Sequence, residues 1–308
     1  MIMQSGLFGE DEAVEAKRAA VKKRLSGLVL SAPLENPLLR ILSLGMGLQS
    51  VTLAFMSARG DLPMLDAAIF ADTGHEKRAT YEYLDYLRER VPFPILVERA
   101  PRASLGDYAL ENVSLPVSGR SQLPLHTLAP DGEKGMLPKQ CNSDWKKRVV
   151  HRAIARLTRE RTGSDRLPAA PVVEEWLGMT RDELNRLGTS EKRYIHHRYP
   201  LVEEPFLFKR PQCTDWLTAR QYRIPPRSAC IFCPFQHNEE WRDMRDNHPL
   251  DFADAVGFDG AIRMPYVGFE GEAFVHSQRV PLAQVDLSTA EDHGQGSVFG
   301  CGDGICGT

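Results

Sequence analysis

The chain has 308 residues, 42% hydrophobic and 26% charged, with 24 Gly, 21 Pro and 6 Cys, a composition that excludes collagenous, disordered and small disulfide-stapled classes. Thirty-eight Lys and Arg against 41 Asp and Glu leave a net charge of −3, so any attraction to nucleic acid has to be local. No run approaches the roughly 20 apolar residues of a membrane-spanning helix, and the acidic start MIMQSGLFGEDEAVEAKR lacks a signal peptide's apolar stretch. A cytoplasmic protein without membrane contact is expected.

Residues 11–25 carry a helical charge pattern before the Pro-punctuated SAPLENP, which makes residues 1–37 a helical leader outside the main core. From residue 38 short apolar runs (LLRILSL, LDAAIF, FPILVE) alternate with helix-length segments (SVTLAFMSARG, EKRATYEYLDYLRERV). This order is βαβαβ. It predicts an α/β fold, a twisted parallel sheet flanked by helices, with ligands received at the carboxyl ends of the strands. Residues 100–140 are interrupted by Pro and Gly. Residues 139–166 then hold nine Lys or Arg against three acidic residues, either a solvated helix face or a surface for phosphate-bearing ligands. Thr180 and Glu183 have capping-box spacing, which predicts a helix running to about Leu187 and closed by Gly188. After residue 240 the pattern is irregular, and the glycine-rich end VFGCGDGICGT reads as a flexible tail.

Between the first strand and helix lies SLGMGLQS (43–50). Its backbone N–H groups, the helix amino end and the Ser43 and Ser50 hydroxyls together suit a phosphate or pyrophosphate. A tight turn needing small residues explains the glycines equally. The segment lacks the Gly-Lys-Ser/Thr ending of a Walker A loop and the third glycine of a dinucleotide fingerprint.

Gly45 to Ser50, reading G-M-G-L-Q-S, resembles the S-G-G-x-D-S loop of the PP-loop ATP pyrophosphatases and PAPS reductases. In register with it, Asp72-Thr73-Gly74-His75-Glu76 is similar to the D-T-G-x-E signature of the PAPS reductase branch. The resemblance implies an adenine nucleotide alpha hydrolase-like fold over about residues 38–240, with Ser43, Gly45, Gly47, Gln49 and Ser50 at the phosphates and Ala71, Asp72 and Thr73 at the adenine and ribose. Asp72 also reads as a helix N-cap. Gln49 stands where the family has an Asp that organises Mg²⁺, so metal handling at the phosphates is altered here. The stretch before Pro200-Leu201 resembles the family's basic segment, with Arg193 and Arg198 as the expected anion-binding residues.

Cys230-Ile-Phe-Cys233 is a C-x₂-C turn followed by Pro234. A tetrahedral centre needs two more soft ligands, and Cys141 and Cys213 supply them. Buried unligated cysteines are the alternative reading. The pattern also looks like the cysteine-rich PAPS and APS reductases and the DNA-phosphorothioation sulfurtransferases, which implies a [4Fe–4S] cluster, Zn²⁺ being the other option. Cys301 and Cys306 lie in the tail. There the reductases keep a nucleophilic cysteine in an E-C-G-x-H context that this chain lacks, and a sulfur relay or a passive tail remain open.

The expectation is an ATP-dependent enzyme in which Ser50 and Gln49 act at the phosphates and Cys301 and Cys306 at sulfur. It would activate an acceptor, a nucleic acid or small molecule, and take sulfur from a donor protein. The alternatives are a PAPS or APS reductase and a non-catalytic nucleotide or nucleic-acid binding module. The organisation expected is a leader (1–37), a nucleotide domain with the cysteine cluster (38–240) and a C-terminal extension (241–308).

Overall fold

The computed structural model describes residues 32–102, 104–112, 123–263, 271–289 and 292. The expected leader helix and the tail cysteines Cys301 and Cys306 lie outside them. In chain order the elements are β1 (Leu39–Ser43), α1 (Leu48–Arg59), β2 (Ala67–Asp72), α2 (Arg78–Arg88), β3 (Ile95–Arg99), α3 (Leu105–Asn112), β4 (His126–Leu128), β5 (Lys134–Met136), α4 (Arg148–Thr162), β6 (Val173–Leu177), β7 (Ile195–Arg198), α5 (Arg210–Thr218), α6 (Asn238–Asn247), α7 (Pro249–Ala261) and β8 (Glu272–Phe274). The βαβαβ start matches the sequence reading. No helix among the described residues is long and apolar enough to cross a membrane.

One sheet has the strand order β3-β2-β1-β6-β7. β1 pairs parallel with β6, Leu39 opposite Val173 and Ser43 opposite Leu177, and β6 pairs parallel with β7, Val173 opposite Ile195. Every residue of β2 and β6 is buried, the burial expected of strands covered on both faces. The fold is therefore α/β with a sheet flanked by helices. The chain divides into two compact units: the first takes residues up to Ser43, Leu48–Ala68 and Leu157–Ile224, and the second takes Leu44–Gly47, Ile69–Arg156 and residues from Pro225 on.

In the first unit α1 is buried from Leu48 through Ser57. The exit from β6 crowds its first turn, since a Cβ on Gly178 would stand 2.6 Å from the Ser50 nitrogen, so only glycine fits. A buried carboxylate, Glu174, sits inside β6 and accepts from Leu34 N (2.8 Å) and Trp176 Nε1 (3.0 Å). Arg40 Nε at 3.6 Å and Arg198 NH1 at 3.5 Å balance its charge.

The second unit carries an antiparallel sheet, β5-β4-β8, over a core that includes Trp145, Phe232, Trp241, Met244, Phe258 and Ile262. Helices α6 and α7 occupy 238–261, where the sequence pattern reads as irregular. Their periodicity is hidden because polar residues share the buried stripe. Asp251 accepts from Arg78 N at 3.1 Å, and Asp259 accepts from Val275 N (3.0 Å) and Leu282 N (2.9 Å). Both Asp side chains are therefore buried and satisfied.

The helix expected after Thr180 is instead a 3₁₀ segment, Arg181–Arg186, with Glu183 outside helical geometry and no side-chain cap from Thr180. Glu183 turns to Gln49 rather than back to the cap. The basic segment is extensively paired. Arg148 meets Asp144 (3.3 Å) and Arg156 meets Glu98 in the second unit, and Arg161 meets Asp66 (2.8 Å) in the first.

Two consequences are measurable. Gly178→Ala forces backbone against backbone and should lower stability by about 1–3 kcal/mol, read from denaturant midpoints. His276 is 2% exposed, its Nε2 3.0 Å from Asn238 Oδ1 and its Nδ1 accepting from Gln278 N. Burial first, and then His126, lower its pKa from 6.5 to about 4. As pH falls between those values the unfolded chain takes the proton first, so stability falls with pH across that window. Thermal melts should show this fall, and His276→Gln should make it shallower.

Candidate functional site

β1 delivers the chain into residues 44–47 and α1 starts at Leu48. The left-handed residue of this loop is Met46 (φ 57°), fully buried, rather than a glycine. Neither Gly45 nor Gly47 has any atom within 4 Å of where a Cβ would stand. The glycines therefore leave open space beside the backbone, as a loop receiving a ligand requires. Ser43, Gln49 and Ser50 are buried.

Gln49 is held at both ends of its amide. Its Nε2 donates to Glu183 Oε2 at 2.9 Å, and its Oε1 accepts from Arg210 NH1 at 3.1 Å. Glu183 is also paired with Arg186, and Arg210 N donates to Asp182 Oδ2 at 2.7 Å. Glu183 and Arg210 are residues that sequence reasoning missed. They lie more than 130 positions from Gln49, and no local pattern in the sequence signals either pairing.

The expected anion-binding arginines differ. Arg193 is exposed. Arg198 is buried, its Nε and NH2 donate to Glu203 Oε2 at 3.1 and 2.9 Å, its NH1 faces Glu174, and its guanidinium lies 5.2 Å from the Trp176 ring centroid. Two carboxylates already engage it.

The turn after β2 is built around Asp72. Its Oδ1 accepts from Gly74 N and Tyr81 OH, both at 2.8 Å, and its Oδ2 accepts from Arg99 Nε (2.9 Å) and NH2 (2.7 Å). Because α2 begins only at Arg78, Asp72 closes a turn at Gly74 (φ 81°) rather than capping a helix. Ala71, beside it, is buried at the end of the strand.

Next along this turn the side chains face the cysteines. Thr73 Oγ1 lies 3.3 Å from Cys230 Sγ. Glu76 forms an isolated antiparallel bridge with Cys230, Ile231 N donates to His75 O at 2.9 Å, and Ser228 Oγ donates to Glu76 Oε2 at 3.1 Å. Lys146 Nζ reaches Glu76 Oε1 at 3.2 Å. Lys146 belongs to a π-helical turn, Asn142–Lys147, directly after Cys141. The wider turn sets residues four and five positions beyond Cys141 on its side, so Trp145 enters the core and Lys146 the site. Across the turn, His75 Nε2 lies 2.7 Å from Ser104 Oγ, which in turn donates to Asp107.

Cys141, Cys230 and Cys233 line one pocket together with Thr73, Lys146 and Phe232. The C-x₂-C turn closes by Cys233 N donating to Cys230 O at 3.0 Å, and Gln236 Nε2 secures it from within at Ile231 O (3.1 Å). Surrounding protein, then Glu76, push the Cys230 thiol well above its ordinary range, while Lys146 and the Thr73 contact pull the other way. A lone thiolate is costly there; the three sulfurs line one pocket but do not all lie within 4.8 Å of one another, a spacing wider than a single tetrahedral ion requires. Cys213 belongs to the first unit. It is fully buried, and burial pushes its thiol up to about 12 against the opposing hydrogen bond of Thr52. Cys301 and Cys306 lie outside the described residues.

No protein-family model matches the chain, and no curated protein matches it. Among solved structures it is similar to a phosphoadenylyl-sulfate (PAPS) reductase from Candida auris, determined as a phosphate complex. The TM-score is 0.40 and the identity 13%, over 67% of this chain and 81% of that one.

Replacing Gln49 by the carboxylate that the resembling loops carry should harm the protein. Gln49→Asp removes the donor to Glu183 and sets two carboxylates against each other, for an expected loss of about 1–3 kcal/mol, measured by thermal and denaturant unfolding.

Proposed function

We propose that the protein is an adenine-nucleotide-dependent enzyme of the PP-loop and PAPS reductase superfamily, with a thiol-ligated metal centre in its second unit, acting in sulfur transfer. The observation that carries this reading is the meeting of Cys141 with the Cys230–Cys233 turn in a single pocket, bonded directly to the D-T-G-H-E turn through Thr73 and Glu76. Two motifs that sequence alone relates only by resemblance thereby share one piece of structure.

Cys141, Cys230 and Cys233 would supply ligands to a [4Fe–4S] cluster, which spaces its cysteine sulfurs more widely than a single Zn²⁺ does, and a cluster when bound supplies a soft redox-active centre. The backbone N–H groups of residues 45–50, with Ser43 and Ser50, would receive the phosphates of ATP. An acceptor oxygen attacks the α-phosphorus and pyrophosphate leaves, stabilised by those donors. Gln49 acts by holding the start of α1 through Glu183 and Arg210, and Mg²⁺, if used, arrives with the nucleotide. The exposed Arg152 and Arg193 are the candidates for contact with a nucleic-acid acceptor, and a sulfur donor protein completes the reaction.

Anaerobic purification followed by iron, acid-labile sulfide and zinc analysis tests this. Iron and sulfide are expected in the wild-type protein, with at least about a tenfold loss in Cys141→Ser, Cys230→Ser and Cys233→Ser. Cys213→Ser should retain them, because Thr52 already engages that thiol in the first unit. ATP-dependent pyrophosphate release supports the leading reaction. Sulfite release from PAPS, abolished when Cys301 and Cys306 are both replaced by Ser, would replace it with the reductase reading. Metal-free protein that turns over neither nucleotide overturns both.

A further inference from the structure

We infer that Arg210 is the residue that meets the phosphates at the start of α1, held in place by Gln49 with its charge left unneutralised. The inference rests on the nucleotide reading above, and it gives Arg210 the task that the sequence expectation assigned to Arg193 and Arg198.

Arg210 is the first residue of α5 and Gln49 the second of α1, so the bond from Arg210 NH1 to Gln49 Oε1 at 3.1 Å joins the opening turns of two helices. Both amino ends carry partial positive charge. Gln49 can face Arg210 only with its oxygen, because its Nε2 already donates to Glu183 Oε2 at 2.9 Å. A neutral amide therefore orients the guanidinium without cancelling it. Among the described residues no carboxylate pairs with the Arg210 side chain, and its Nε and NH2 have no acceptor. The carboxylates beside it are committed: Asp182 Oδ2 accepts from the Arg210 backbone N at 2.7 Å, and Glu183 is taken by Gln49 and Arg186. Residues 181–186 and 209–210, tied together by Arg181 N donating to Phe208 O at 2.8 Å, set Arg181, Arg186, Lys209 and Arg210 against Asp182 and Glu183 alone. The local excess is positive. The two spare N–H groups of Arg210 match two oxygens of one phosphate. Arg198, by contrast, spends its guanidinium on Glu174 and Glu203. Only the arginine held by an amide keeps its charge for a ligand.

Pyrophosphate and ATP are the probes, each titrated calorimetrically into the full-length chain in Mg²⁺ buffer. Arg210→Gln should weaken both by at least about tenfold and should flatten the fall of affinity with added NaCl, a change that lost packing alone would not produce. Arg210→Lys keeps the charge but not the fork, and its affinities should fall between those of wild type and Arg210→Gln. Arg220→Gln removes the same charge in the same unit, from a guanidinium lying over Trp216, and should leave both affinities within about twofold of wild type. Wild-type pyrophosphate affinity in Arg210→Gln overturns the inference and leaves the nucleotide reading standing. An Arg210→Lys loss as large as that of Arg210→Gln overturns it as well, as does equal weakening in Arg220→Gln, which would mark an effect of net charge. A wild-type chain that binds neither probe overturns the nucleotide reading, and this inference with it.

Discussion

The pairing of two turns, residues 72–76 after β2 and residues 228–231 before the second cysteine, is the constraint on which the rest of the site depends. Neither turn is regular secondary structure, and each would be mobile alone. Ile231 N bonded to His75 O, the bridge between Glu76 and Cys230, and Ser228 bonded to Glu76 make them one rigid piece. Asp72 anchors one end by spending both of its oxygens on Gly74, Tyr81 and Arg99. Once the turns are joined, Cys230 has a fixed direction, and the π-helical turn after Cys141 needs only to bring Lys146 to Glu76 for a third thiol to line the same pocket.

Charge is handled in both units by internal satisfaction rather than by exposure. In the first unit Glu174 is shared between Arg40 and Arg198, and Arg198 is matched again by Glu203. Removing one arginine leaves Glu174 with the other and with the Leu34 and Trp176 N–H donors, so the buried carboxylate is stranded only when both are lost. The same economy governs Gln49. An amide can accept from Arg210 while donating to Glu183, which a carboxylate cannot do, so the departure from the resembling loops is matched by its surroundings.

The first three strands and the helices between them were legible because short apolar runs, as in the AAIF of β2, alternate with segments of helix length; β6, reading VEEWL, was not, because Glu174 and Glu175 interrupt its apolar run. Helices α6 and α7 were not. Asp251 and Asp259 occupy core positions there, each satisfied by backbone N–H groups from distant segments, so an apolar count along the chain meets polar residues where a stripe should be. The capping-box reading at Thr180 failed for a related reason. Glu183 had a better partner in Gln49 than its own helix could offer, and a tertiary bond outweighs a local cap of about 1 kcal/mol. Within the site, the cysteine turn and the glycine loop were visible as motifs. Arg198 was visible only as a residue type, which says nothing of the carboxylates that engage it.

By itself the sequence determined the alternation of strands and helices, the position of the glycine loop between the first of each, and the residue types able to bind phosphate or metal. These follow from periodicity and side-chain chemistry, which are properties of neighbours along the chain. Tertiary structure alone decided which of those residues meet: Thr73 with Cys230, Lys146 with Glu76, Gln49 with Glu183 and Arg210. Such partners lie from about 70 to 160 positions apart, and a hydrogen bond between them depends on distances of a few tenths of an ångström that no local pattern encodes.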